Sequence, residues 1–99
     1  MSVQPANRSS GLKTADGVIQ AKPTIISGVH VNTDGANDAT VVLYDNASAA
    51  SGTVVFQQTV TGTDDSIPFN LPDGGVYCKN GIYADITTAG TMSFIVYFR

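Results

Sequence analysis

The sequence predicts an all-β domain: a single small antiparallel β-sandwich, jelly-roll or Greek-key-like, of about eight short strands. Its 99 residues include 11 Thr, 10 Gly, 8 Ser and 6 Asn, and Val and Ile lead among the large apolar residues. β-Branched side chains suit a pleated sheet better than a helix. The 8 acidic residues are all Asp, which favours turns, whereas Glu favours helix interiors. Short apolar runs alternate with turn clusters, as in sandwiches and barrels.

Residues 1–12 are polar and without a period, so they are predicted to form a flexible N-terminal arm before a sandwich domain at 13–99. Asn80-Gly81 is the strongest turn signal, because this dipeptide suits a tight hairpin with positive φ. Pro68 predicts an edge or a bulge for its strand, since proline cannot donate to the ladder. The predicted strands are 17–21, 24–32, 39–44, 53–60, 66–71, 76–79, 82–87 and 92–98.

Alternation assigns the faces of these strands and leaves a surplus of apolar residues. Met92, Phe94, Val96 and Phe98 form an inward row, which turns Ile95 and Tyr97 outward. Residues 41–44 are apolar on both sides, so either Val42 and Tyr44 or Val41 and Leu43 face outward. A two-layer sandwich has one inner face per sheet, so the surplus predicts a homo-oligomer. The candidate interface residues are Val42, Tyr44, Tyr83, Ile95 and Tyr97.

Charge and hydropathy argue against several partner classes. The net charge is −3, and the five cations form no basic stripe, so no nucleic acid is expected. No apolar run approaches the roughly 20 residues that span a bilayer, and the first residues lack the apolar region of a signal peptide. We therefore expect no membrane partner. A lone Cys78 suits folding in a reducing cytoplasm.

Catalytic groups are scarce. His30 and Cys78 are the only residues of their kinds, so a Cys–His pair is the one nucleophilic dyad to weigh. Their strand positions favour a partly exposed imidazole and a small buried thiol instead. No phosphate-binding loop or nucleophile elbow is present. We expect no enzymatic activity, no cofactor, and no catalytic or metal site.

Two binding alternatives stay open. The stretch 32–38 offers Asn32, Asp34, Asn37 and Asp38 as oxygen ligands for Ca²⁺, but it lacks a bidentate Glu and matches no standard calcium loop. Asp, Asn and Gly are also the usual residues of a long turn, and we expect a plain turn. Exposed tyrosines could instead form a carbohydrate-binding surface, although Trp is absent; the tyrosines are Tyr44, Tyr77, Tyr83 and Tyr97.

Three segments together resemble a known group of proteins. They are Thr40-Val-Val-Leu-Tyr-Asp-Asn-Ala-Ser-Ala-Ala-Ser-Gly-Thr-Val-Val-Phe, Pro68-Phe-Asn-Leu-Pro and Asn80-Gly-Ile-Tyr-Ala-Asp-Ile-Thr. In order and spacing, over about residues 12–98, the sequence resembles small β-sandwich virion structural proteins of tailed bacteriophages.

The resemblance implies a capsid decoration (cement) protein that binds the assembled shell and bridges neighbouring subunits. It implies synthesis in the host cytoplasm, location in the virion, and the major capsid protein or another virion structural protein as partner. It favours a trimer, because cement proteins of this group tend to sit at three-fold positions. A head–tail or fibre-associated module, or a carbohydrate-binding sandwich, remains the alternative.

Overall fold

The computed structural model describes residues 8–64, 66–71 and 74–99. This part of the chain is all-β, with two antiparallel sheets packed face to face, so the predicted sandwich is confirmed. A short 3-10 turn, Gly62–Asp64, follows the fifth strand. The strands are β1 (Arg8–Ser9), β2 (Gly17–Gln20), β3 (Thr24–Thr33), β4 (Ala39–Tyr44), β5 (Val54–Val60), β6 (Ser66–Asn70), β7 (Val76–Cys78), β8 (Ile82–Thr88) and β9 (Met92–Phe98).

The ends of the eight predicted strands agree with β2–β9 to within one residue. The additional strand, β1, lies inside the segment predicted as an arm. Arg8 and Ser9 pair with Phe98 and Tyr97 of β9, and the Ser10 amide donates to the Val96 carbonyl at 2.9 Å. Strand pairing therefore starts earlier than the predicted boundary at residue 12. Residues 1–7 of the predicted arm lie outside the described residues.

The two sheets have different edges. The four-stranded sheet has the order β2-β8-β4-β5. In the five-stranded sheet the order is β1-β9-β3, and both β6 and β7 pair with the remaining side of β3. β6 carries Pro68 opposite His30, so the predicted edge position of this proline is confirmed.

The tight hairpin predicted at Asn80-Gly81 is wrong. β7 belongs to the five-stranded sheet and β8 to the four-stranded sheet, so the turn carries the chain across the sandwich. Gly81 does have a positive φ of 137°. A Cβ on Gly81 would overlap the Gln20 carbonyl oxygen, so close approach to the end of β2 also demands glycine here.

The core lies between the two sheets, and the burial of the β4 residues shows which of them face it. Val41 and Leu43 are fully buried, whereas Val42 and Tyr44 are half-buried on the outer side. Phe94 is the largest fully buried side chain. Within the described ranges, every buried side-chain nitrogen and oxygen has a hydrogen-bond partner, so the core is apolar without stranded polar groups.

Candidate interaction surfaces

The predicted interface residues fall on two opposite outer faces of the sandwich. Val42, Tyr44 and Tyr83 lie on the outer face of the four-stranded sheet, in β4 and β8. Ile95 and Tyr97 lie on the outer face of the five-stranded sheet, in β9. All five are half-buried. The structure therefore divides the predicted interface into two surfaces and does not bring its residues into one patch.

A row of apolar and aromatic side chains crosses the whole four-stranded sheet on its outer side. Tyr83 pairs with Val18 on one side and Tyr44 on the other, and Tyr44 pairs with Val54 of the edge strand. Val18 and Val54 are 43% and 45% exposed. We call these four residues the valine–tyrosine row. Clustered apolar side chains on an outer sheet face are typical of a protein contact surface.

A carboxyl pair adjoins this row. Asp85 is half-buried next to Val42, its cross-strand neighbour, and the Asp16 carboxylate lies close by, on the backbone amide of the residue that follows Asp85. Burial raises the pKa of Asp85, and the nearby Asp16 carboxylate raises it further. Asp16 is held in place because its Oδ1 accepts a hydrogen bond from the Ile86 amide at 2.7 Å.

Farther along the same face, the surface becomes polar. Thr40 pairs with Thr87 on β8 and Thr59 on β5, and the hydroxyls of Thr40 and Thr59 are 2.8 Å apart. Next to these threonines is an open depression of about 480 Å³. Among the described residues that line it, Asp38 is the one acidic group. The lining residues are Ala36, Asn37, Asp38, Thr40, Thr59, Thr87, Thr88 and Ala89.

The outer face of the five-stranded sheet combines apolar and uncharged polar residues. Ile95 pairs with His30, which pairs with Pro68. Tyr97 lies opposite Gly28, and a Cβ there would be 3.8 Å from the Tyr97 ring. The tighter neighbour of that Cβ would be the Phe69 carbonyl oxygen of β6, at 3.1 Å, so the close approach of β6 favours glycine here.

A chain of hydrogen bonds crosses this face beside Ile95. His30 Nε2 contacts the Ser66 hydroxyl, Ser66 donates to Asn32 Oδ1 at 2.8 Å, and Asn32 Nδ2 donates to Ser93 at 3.0 Å. The Ser66 hydroxyl thus links the imidazole of His30 to the side chain of Asn32.

His30 and Cys78 do not form a pair. His30 lies on the outer face, as expected for a partly exposed imidazole, whereas Cys78 is fully buried on the inner side of the same sheet. Burial and, secondarily, the negative charge of Asp45 raise the pKa of the Cys78 thiol to about 11. At neutral pH this thiol is protonated and behaves as a core residue.

The side chains weighed as calcium ligands are occupied by hydrogen bonds within the protein. Asp34 accepts from the amides of Ala36, Asn37 and Thr91 and from the Asn37 side chain, at 2.7–3.2 Å. These donors hold the pKa of Asp34 well below its usual range. Asp38 Oδ1 accepts from the Gly62 amide at 2.9 Å, and Asn32 belongs to the His30 chain. The stretch thus ties three turns together at one end of the sandwich.

Comparison with known proteins returns no relatives. No protein-family model matches the sequence, and no curated protein or solved structure is significantly similar to it. Among the described residues, no three His, Cys, Asp or Glu side chains are grouped to hold a metal. No helix in that part of the chain is long and apolar enough to cross a bilayer.

Four residues of the four-stranded face were not among the predicted interface residues: Val18, Val54, Asp16 and Asp85. Asp85 carries the same signal as Tyr83, because both alternate with Ile82 and Ala84 along β8. The pairing of Val54 with Tyr44 could not be predicted from alternation, because the register between β4 and β5 is irregular at this point. Asp16 has no local signal, since its hydrogen-bond partner, Ile86, is 70 residues away.

Proposed function

We propose that this protein is a structural component of a tailed-phage virion, a capsid decoration protein that binds the assembled shell and links neighbouring subunits. It is made in the host cytoplasm and has no catalytic role. The observation that carries the proposal is the division of apolar outward residues between two opposite faces. A protein that links neighbours needs at least two contact surfaces, and a domain with principal extents of 46 × 31 × 21 Å offers its broad sides for them.

Self-association is assigned to the outer face of the five-stranded sheet. On this face, three rows of paired residues run across β9, β3 and β6, and they begin at Ser93, Ile95 and Tyr97 of β9. The described residues of these rows include no aspartate, lysine or arginine, so copies can approach without charge repulsion. Because both side chains are already half-buried, covering the rest of Ile95 and Tyr97 contributes about 1–1.5 kcal/mol for each before association costs. The resemblance favours a homotrimer. The outer face of the four-stranded sheet is left for the major capsid protein or another virion protein.

The two faces can be tested against each other. Light scattering should show an oligomer for the wild type and a monomer for the double variant Ile95→Asp/Tyr97→Asp. Tyr44→Asp/Tyr83→Asp should keep the oligomer but lose co-sedimentation with purified shells that lack this protein. A wild-type monomer at micromolar concentration that still binds shells fully after Ile95→Asp/Tyr97→Asp would overturn the assignment of the five-stranded face.

A carbohydrate-binding module is the second candidate, and one observation favours it. Tyr77 is 63% exposed in β7, a position where a ring can stack on a sugar. Glycan-array binding that disappears with Tyr77→Ala or Tyr83→Ala would favour this function. Co-sedimentation with shells, with no glycan bound, would favour the virion role.

A further inference from the structure

The four strands that present the valine–tyrosine row contain no lysine or arginine. Asp85 is the one charged residue within β2, β4, β5 and β8. Asp16 stands directly before β2. Within these four strands the charge is therefore exclusively negative, and Asp85 lies beside apolar side chains. The five cations of the chain all lie outside these four strands, and two of them, Lys22 and Lys79, are in turns that border the sheet; the five are Arg8, Lys13, Lys22, Lys79 and Arg99.

The carboxyl pair on this face is uncompensated. Within the described part of the chain, neither Asp16 nor Asp85 has a cationic partner, and no cation lowers the pKa of Asp85. Asp85 lies between Tyr83 and Thr87 on its strand and beside Val42. A negative charge in this position is unfavourable for the isolated domain, because it is partly desolvated and faces a second carboxyl group.

These features discriminate among possible occupants of the face. In symmetric face-to-face packing of two copies, the strands of the second copy would offer the carboxyl pair no cation, and near the two-fold axis the pair would meet its own copy, which is unfavourable. A purely apolar partner would bury the carboxylates without compensation. A partner that carries a cation among apolar side chains satisfies both the row and the carboxyl pair.

We propose that the outer face of the four-stranded sheet docks a protein surface on which a lysine or arginine is flanked by apolar side chains. The cation binds between Asp16 and Asp85, and the flanking side chains pack on the valine–tyrosine row. This inference rests on the proposed function in taking a virion protein as the partner, and it specifies the chemistry of that partner. Arginine fits a carboxyl pair especially well, because its guanidinium group can bond both acids at once.

The probe is the peptide acetyl-Leu-Arg-Leu-amide, with acetyl-Leu-Gln-Leu-amide as its neutral counterpart. In NMR titrations of the full chain, the arginine peptide should shift the amide signals of Val42, Tyr83 and Asp85, and the pKa of Asp85 should fall. Asp16→Asn/Asp85→Asn should weaken binding by about fivefold or more, in line with the upper range for exposed ion pairs. Added salt should weaken wild-type binding and affect the double variant little.

The charge control is Leu12→Lys/Thr63→Lys, which makes the net charge more positive by the same amount at exposed positions off this face. It should keep most of the wild-type affinity for the arginine peptide. Equal binding of both peptides, or equal affinity in the Asp16→Asn/Asp85→Asn variant, would overturn the inference. Binding to shells distinguishes the failure of this inference from the failure of the proposed virion role. If the wild-type protein binds the arginine peptide but does not bind shells, the virion role is wrong and the inference stands. If the Asp16→Asn/Asp85→Asn variant binds shells as well as the wild type does, the inference is wrong and the virion role stands.

Discussion

Two neighbouring valines of β4 provide a direct test of which side of the strand faces the core. Val41 is fully buried, and Val42 is half-buried on the outer face. Val41→Ala and Val42→Ala make the same chemical change in the same strand, so differences in β-propensity and in the unfolded chain largely cancel. The difference between the two variants therefore reports burial.

The magnitudes follow from the two carbons that each substitution removes. At Val41 the lost transfer free energy is about 1.6 kcal/mol, and the cavity left behind raises the expected cost to about 2–3 kcal/mol. Val42 is half-buried, so Val42→Ala loses roughly half of that transfer free energy and leaves no cavity, and its expected cost is about 0.8 kcal/mol. For a domain of this size each kcal/mol lowers the Tm by about 4–8 °C.

Urea denaturation at low protein concentration measures both variants, with the m-value as a check that the unfolded state is unchanged. Val41→Ala should lose at least twice as much free energy of unfolding as Val42→Ala. A Val42→Ala variant that is destabilised as strongly as Val41→Ala would refute this arrangement. A register one residue away reverses every side chain of the strand, and such a result would point to it.

Four further outcomes are expected. Asp34→Ala should lower the Tm at neutral pH, and the deficit should shrink on acidification to about pH 2, because the stabilisation from a lowered aspartate pKa is lost as pH falls; a constant deficit would contradict this. Asp85→Asn should raise the Tm at neutral pH, since a raised pKa makes the folded state less stable once Asp85 is ionised; the advantage should vanish below the ordinary aspartate range. Cys78, with a pKa of about 11, should react with a thiol reagent near pH 8 only as fast as the domain unfolds; rapid labelling of folded protein would disprove its burial. A calcium chelator should leave the Tm unchanged, and a fall of several degrees abolished by Asp34→Ala and Asp38→Ala would reveal a bound ion.

The sequence predicts strands well here because alternation is a local property. β2–β9 each contain enough apolar residues to reveal a face, whereas β1 is two polar residues, Arg8–Ser9, and exists because β9 offers it a partner. Asn80-Gly81 gives a correct local signal, a backbone with positive φ. A turn signal does not specify which sheet the next strand joins, and so the predicted hairpin was wrong.

The candidate surfaces were predictable in part. Tyr83, Ile95 and Tyr97 are outward because their strand neighbours alternate clearly. Residues 41–44 are all apolar, so only three-dimensional packing decides that Val41 and Leu43 are inside. The Asp16–Asp85 pair joins residues far apart in the chain, and periodicity carries no information about such a contact.

The two sheets differ in how they can receive an additional strand. On the side of β3 away from β9, the two short strands β6 and β7 form the edge of the five-stranded sheet, and Pro68 removes one amide donor from β6. β5 is seven residues long and contains neither proline nor a charged residue. It therefore lacks the residues that usually protect an edge strand from pairing with another chain. An extended segment from another molecule therefore finds its longest ladder along β5. Such a segment would join the sheet beside Val54 and lengthen the valine–tyrosine row, so strand addition would enlarge the docking surface without covering it.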